Sequence, residues 1–132
     1  RPRPDLLADV SEVDRARQLT PTRVFDSRGA EGYHGRGVYH DPVRGHIAGA
    51  GLADRAHTLD GDRRYRTADE LRRHYGELIG DQDPHDVIFY CGSGITAAQN
   101  VLAMTIAGLD GARMYVGSWS EWITDPSRPV EL

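Results

Sequence analysis

The stretch VIFYCGSGITAAQNVLAM, residues 87–104, holds the only cysteine of the chain. Cys91 follows four apolar residues and precedes Gly92, Ser93, Gly94, Ile95 and Thr96, after which an apolar, helix-like run begins. The thiolate, not the thiol, is the nucleophilic form of cysteine. Gly92 and Gly94 carry no Cβ, so both can take positive φ and let backbone N–H groups converge on one point. A helix beginning near Thr96 adds its positive end. Comparable settings lower a thiol pKa from ~8.5 into a range of about 3.5 to 7.5. The same residues also fit an inert buried thiol. If the thiolate forms, the pattern alone does not separate sulfur transfer from phosphate ester hydrolysis.

The elements that must position Cys91 are legible around it. VIFY (87–90) is a continuous apolar run, the mark of a strand covered on both faces. Residues 96–107 read as a helix ended by Gly108. Upstream, residues 1–10 read as an extended lead-in or linker, and Ser11 as the N-cap of a short helix over 11–19. RVFD (23–26) is a short buried strand, 27–45 an irregular loop rich in glycine, and GHIAGAGL (45–52) a turn followed by a short strand. Residues 58–66 are polar loop, and Thr67 with Glu70 forms a capping box for a helix bearing the stripe Leu71, Tyr75 and Leu78. ARMYV (112–116) is a further strand, and GSWSEWI (117–123) a glycine turn leading into one helical turn. Strands and helices alternate, which implies an α/β fold: a mostly parallel central sheet flanked by helices, with ligands beyond the carboxyl ends of its strands.

The 132 residues suffice for one domain, placed at 11–132. Composition is 39% hydrophobic and 27% charged, with a net charge of -4, which argues against a general nucleic-acid surface. No apolar run is long enough to span a bilayer and no signal-peptide pattern opens the chain, so a cytoplasmic location and no membrane partner are expected. A single cysteine forms no internal disulfide. His34, His40 and His46 recur every six residues, which matches no metal-ligand spacing, so no metal and no cofactor are expected. The chain opens on Arg1 rather than methionine and is expected to be a fragment or a processed product.

Four stretches in order resemble one family. CGSGITA (91–97) is similar to the active-site loop of the rhodanese superfamily, specifically of 3-mercaptopyruvate and thiosulfate sulfurtransferases. VFDSR (24–28) resembles the strand ending in D-x-R, GHIAGA (45–50) the GHIPGA signature with Ala48 for proline, and YVGSWSEW (115–122) the C-terminal GSW-x-EW signature. The resemblance spans about residues 11–130 and is strongest to the C-terminal, cysteine-bearing repeat of the two-domain enzymes, which implies an upstream rhodanese-like domain. It implies a rhodanese-like fold and a Cys91 that takes sulfur from a small donor as a persulfide. A thiol, thioredoxin or cyanide would then accept that sulfur. Neutral Gly92 and Ser93 follow the cysteine, where relatives that prefer the thiosulfate dianion carry cations; this favours 3-mercaptopyruvate. Ser93 matches the family serine linked to proton movement, and equally could only close the turn.

The departures from the family matter too. Alignment of DSRGAEGYHG places Gly32 where the first donor-binding arginine is expected, and glycine cannot replace a bidentate guanidinium. Arg36 and Arg44 are the remaining candidates for the donor carboxylate. Asp26 and Arg28 are expected to pair behind the loop as support, and Trp119 and Trp122 to pack the end of the sheet, with Ser118 and Trp119 available to the pocket rim. Two other readings stay open: a sulfur carrier or interaction module without small-donor activity, motivated by Gly32, and a cysteine-loop phosphatase. The phosphatase needs an arginine at the sixth position after the cysteine, where Ala97 stands.

Overall fold

The computed structural model describes residues 4–36, 42–92 and 96–132. In chain order its elements are α1 (Val10–Ala16), β1 (Val24–Asp26), α2 (Ala30–Tyr33), β2 (His46–Ile47), β3 (Gly51–Leu52), α3 (Ala68–Ile79), β4 (Ile88–Tyr90), α4 (Ala97–Ile106), β5 (Arg113–Met114), α5 (Ser118–Trp122) and β6 (Val130–Glu131). Four of the strands form a parallel sheet in the order β3-β1-β4-β5. It is the α/β arrangement that the alternation of strands and helices predicts.

The central strands read as unbroken apolar runs because both faces of the sheet are covered. Side chains alternate between the faces. Phe25, Val87, Phe89 and Cys91 join Leu71, Tyr75, Ala103 and Met104 from α3 and α4. Val24, Ile88 and Tyr90 join Val13, Tyr115, Trp119 and Trp122 on the face covered by α1 and α5. Trp119 and Trp122 are both fully buried, and burying one large side chain contributes about 1.5–3 kcal/mol.

The capping box at α3 is present as the sequence predicts, with the Thr67 hydroxyl accepting from the Glu70 N–H. At α1 the structure corrects the reading: the cap is Asp9, not Ser11. Asp9 accepts from the Glu12 N–H at 2.9 Å and Glu12 returns the bond to the Asp9 N–H at 3.2 Å. A carboxylate paired reciprocally with a residue three along satisfies two orphan donors at once, which a serine further inside the helix does not.

Three further differences concern residues where local pattern is weak. The loop expected over 27–45 contains the short helix α2. GHIAGAGL supplies two strands rather than one: β3 enters the main sheet, while β2 pairs antiparallel with β6, a strand absent from the sequence reading. Each of these strands is two residues long, and its partner lies far along the chain, so periodicity could not register it. In the lead-in, Leu7 bridges to Met114 and the Ala8 N–H donates to the Met114 carbonyl at 3.0 Å, so this segment covers the outer edge of β5.

Two glycines separate backbone necessity from tolerance. Gly49 has φ +90°, and a Cβ there would collide with the Arg17 carbonyl oxygen. Gly76, inside α3, faces open space. Denaturant unfolding should therefore show Gly49→Ala losing about 1–3 kcal/mol, and Gly76→Ala gaining roughly 0.5–1 kcal/mol.

Candidate active site

The order β3-β1-β4-β5 means that the chain leaves β1 toward one edge and leaves β4 toward the other. Ligand crevices in such sheets open at that reversal, beyond the carboxyl ends of the strands. Asp26 is in register with Tyr90, so the next residues on each strand, Ser27 and Cys91, meet at this point. Cys91 is fully buried, with no disulfide, and points toward the α3 and α4 face.

The backbone around the sulfur is held from behind by α5. The Cys91 carbonyl accepts from the Trp119 N–H at 2.9 Å. The Gly92 carbonyl accepts from the Ser120 N–H at 3.0 Å and from the Ser120 hydroxyl at 2.8 Å. Both carbonyl dipoles adjoining the cysteine are thus turned toward α5. In a trans peptide the N–H points opposite to its carbonyl, so the Gly92 N–H is directed away from α5. The Cys91 N–H donates to the Ser118 hydroxyl at 3.1 Å, that hydroxyl donates to the Tyr115 carbonyl at 2.8 Å, and it lies 4.0 Å from the Cys91 sulfur. Ser118 is buried and has φ +54°, a conformation costly to any residue but glycine. Strain of this kind persists where the surroundings hold it in place.

Helix α4 begins six residues after Cys91. Helices α1 and α3 are closed by their own side chains, whereas Thr96, the N-cap of α4, makes no side-chain cap hydrogen bond. Its first turn does not spend an N–H donor on that cap, and the positive end of its dipole lies on the cysteine side of the sheet.

A second cluster occupies the opposite face. Arg28 grips Asp26 through Nε and Nη2 at 2.7–3.1 Å, donates to the Gly45 carbonyl at 2.6 Å, and lies 4.9 Å over the ring of Trp119. Asp26 is fully buried, so this guanidinium is its compensating charge. Burial, and then the neighbouring Asp26 carboxylate, push the Tyr90 phenol well above its ordinary pKa, and its oxygen accepts from the Ile47 N–H at 3.0 Å. Asp26 and Arg28 therefore link β1, the GHIAGA turn and α5.

The remaining residues singled out in the sequence are placed as follows. Gly92 and Thr96 flank the loop; Ser93, Gly94 and Ile95 lie outside the described residues, as does His40. Arg36 is exposed, and Arg44 is exposed and donates to the Gly35 carbonyl. His46 is buried, stacked on Tyr33 at 3.6 Å, and donates from Nδ1 to the Tyr33 carbonyl at 2.7 Å. Trp119 and Trp122 donate their indole N–H groups to Val43 and Pro129 carbonyls.

Sequence reasoning missed Asn100. It is fully buried in α4, donates to the Ser27 hydroxyl and the Ala53 carbonyl, both at 2.8 Å, and accepts from the Tyr75 hydroxyl at 2.6 Å. The available signal was an amide in an otherwise apolar helix, AAQNVLAMTI, at the position that faces the sheet.

With this geometry in place, comparison with known proteins is informative. The model of the rhodanese-like domain family matches residues 9–125, and the chain belongs to that family. A Pseudomonas aeruginosa protein named "Probable 3-mercaptopyruvate sulfurtransferase" is 36% identical over 130 residues, 98% of this chain and 46% of its own length. The 3-mercaptopyruvate sulfurtransferase of Escherichia coli is 31% identical over 131 residues, again covering 46% of that protein. The chain thus spans about half the length of these relatives. Among solved structures, the anaerobic ergothioneine biosynthesis enzyme from Chlorobium limicola, in complex with trimethyl histidine, superposes with a TM-score of 0.82 at 23% identity over 98% of this chain and 32% of that one, a likeness of fold. No helix among the described residues is long and apolar enough to cross a membrane.

Ser118 gives this site a direct test. Ser118→Ala keeps the unfavourable φ and removes the hydroxyl to which the buried Cys91 N–H donates, a loss of about 1–3 kcal/mol. Ser118→Gly loses the same hydroxyl but relaxes the backbone. Thermal unfolding should rank wild type above Ser118→Gly, and Ser118→Gly above Ser118→Ala.

Proposed function

We propose that this domain is a sulfurtransferase in which Cys91 carries the transferred sulfur. The observation that carries the reading is the position of Cys91: at the carboxyl end of β4, where the strand order reverses, with its carbonyl side bound by α5 and a helix N-terminus following. The names of the relatives support the same activity.

In the forward half-reaction the Cys91 thiolate attacks the sulfur of a small donor. With 3-mercaptopyruvate the S–C bond breaks, its electron pair leaves on carbon as the pyruvate enolate, and a proton returns that enolate to pyruvate. Cys91 keeps the sulfur as a persulfide. An acceptor thiolate then attacks the outer sulfur, the S–S bond breaks, and Cys91 leaves as thiolate. This is a two-step covalent exchange. The Gly92 N–H, turned away from α5, and the α4 terminus stabilise both anions of Cys91, the thiolate and the persulfide. Acceptors of this chemistry are thiols, thioredoxin or cyanide, and a second rhodanese-like domain would complete the cleft. The neutral residues Gly92 and Ser93 favour 3-mercaptopyruvate over the thiosulfate dianion.

Gly32 favours a second reading, a sulfur carrier loaded by a protein donor. It lies in α2, where the three atoms nearest its Cβ position belong to the Arg28 side chain, at 3.7 Å, and it offers the donor carboxylate no side chain.

Intact-mass measurement after incubation with 3-mercaptopyruvate is expected to show one added sulfur atom, absent in Cys91→Ser. No adduct from 3-mercaptopyruvate or thiosulfate, on reduced protein, would reject the small-donor enzyme. Since a Cβ at Gly32 meets its neighbours at ordinary contact distance, Gly32→Arg should raise kcat/KM for 3-mercaptopyruvate by about tenfold, the effect of one hydrogen bond to a charged group. Unchanged kcat/KM would separate this position from donor binding.

A further inference from the structure

Residues 90–100 form one span containing the end of β4, Cys91, the loop and the first turn of α4. Both ends of the span are bonded to a single residue, Ser27. Its backbone N–H donates to the Tyr90 carbonyl at 2.7 Å, and its hydroxyl accepts from the Asn100 side-chain amide at 2.8 Å. Ser27 and Asn100 are both fully buried.

The orientation of the Asn100 amide is over-determined. Both amide protons are used, on Ser27 and on the Ala53 carbonyl, and its oxygen accepts from Tyr75. Burial holds the Tyr75 phenol above its ordinary pKa, so it remains a donor. The preceding residue, Gln99, adds bonds to the Arg55 carbonyl at 3.0 Å and the Thr58 hydroxyl at 2.9 Å. The start of α4 is thereby anchored to the ends of β1 and β3 and to the 3-10 turn at Arg55–Thr58. A leucine at position 100 would be apolar like its neighbours but would take this partner from the Ser27 and Tyr75 hydroxyls and the Ala53 carbonyl. Hydrophobic contacts tolerate sliding of a helix, whereas a satisfied buried network specifies one arrangement.

We infer that Ser27 and Asn100 are positioning residues for Cys91: their hydrogen bond clamps the two ends of the cysteine loop and fixes the distance between the sulfur and the N-terminus of α4. This rests on the sulfurtransferase reading, in which the sulfur works as an anion. Ser27 occupies the middle position of Asp26-Ser27-Arg28, so one turn of chain holds the cysteine loop on one face of the sheet and Trp119 on the other.

The experiment is the pH dependence of iodoacetamide alkylation of Cys91, with thermal unfolding recorded alongside, for wild type, Ser27→Ala, Asn100→Ala and Thr67→Ala. Ser27→Ala is the gentler break, because the backbone bond to Tyr90 and the Tyr75 and Ala53 bonds of Asn100 survive. Thr67→Ala removes the α3 cap and destabilises by about 1 kcal/mol without touching the span. A wild-type midpoint below that of free cysteine is expected. Ser27→Ala should raise it by about one unit and slow alkylation by about tenfold at pH values below the wild-type midpoint, and Asn100→Ala should do the same where it folds. Thr67→Ala should lower stability and leave the midpoint alone. A Ser27→Ala midpoint equal to wild type, whatever its stability, would overturn the clamp while leaving the sulfurtransferase reading intact. A wild-type midpoint equal to that of free cysteine would overturn both.

Discussion

Enclosing a sulfur anion removes it from water, and the rest of this structure depends on how the lost solvation is replaced at the end of β4. Burial alone favours the thiol and raises its pKa by up to several units. Cys91 is fully buried, so that penalty is present. Against it stand the N-terminus of the ten-residue helix α4 and a Gly92 N–H turned away from α5. The carbonyls that would repel the anion are bound by α5, and the Thr96 side chain takes no N–H of the first turn of α4.

That balance explains why two elements remote in sequence converge behind the cysteine. The segment GSWSEW gives the Ser118 hydroxyl to the Cys91 N–H and two further N–H donors to the adjoining carbonyls. The segment DSR gives Asp26 and Arg28 to the Trp119 side and Ser27 to the Asn100 side. A one-residue slip between β1 and β4 would exchange these faces, placing Ser27 against Trp119 and the Asp26 carboxylate in the apolar cluster around Phe89. The buried ion pair and the buried amide both penalise that slip, since each would lose its partner. The geometry around Cys91 and the strand register are thus specified by the same bonds.

How much of this was legible in the sequence follows from where the information resides. The strand at 88–90, the cap at Thr67 and the helix after Cys91 rest on local chemistry: apolar runs, an N-cap pair, a glycine turn. Those were readable, as was the order of four motifs that marked the family. The cap at Asp9 was assigned two residues late, because Ser11 also fits a cap and only the Glu12 return bond decides. Strands β2 and β6 depend on pairing across more than eighty residues, which no window contains. Asn100 was passed over as one polar residue in an apolar helix, because its worth depends on Ser27 and Tyr75 arriving from elsewhere. Position 32 shows the converse: the missing side chain is visible in the sequence, and the structure adds that a Cβ there would meet Arg28 at ordinary contact distance.

The most direct measurement is the ultraviolet absorbance of the Cys91 thiolate followed across pH in the native protein, with Cys91→Ser subtracted as the blank. If oriented amides and the α4 terminus outweigh burial, half of the sulfur is ionised well below pH ~8.5, the value of an unperturbed thiol. A transition at or above that value would mean that the hydrocarbon around the sulfur prevails, and would contradict a role for Cys91 as a nucleophile.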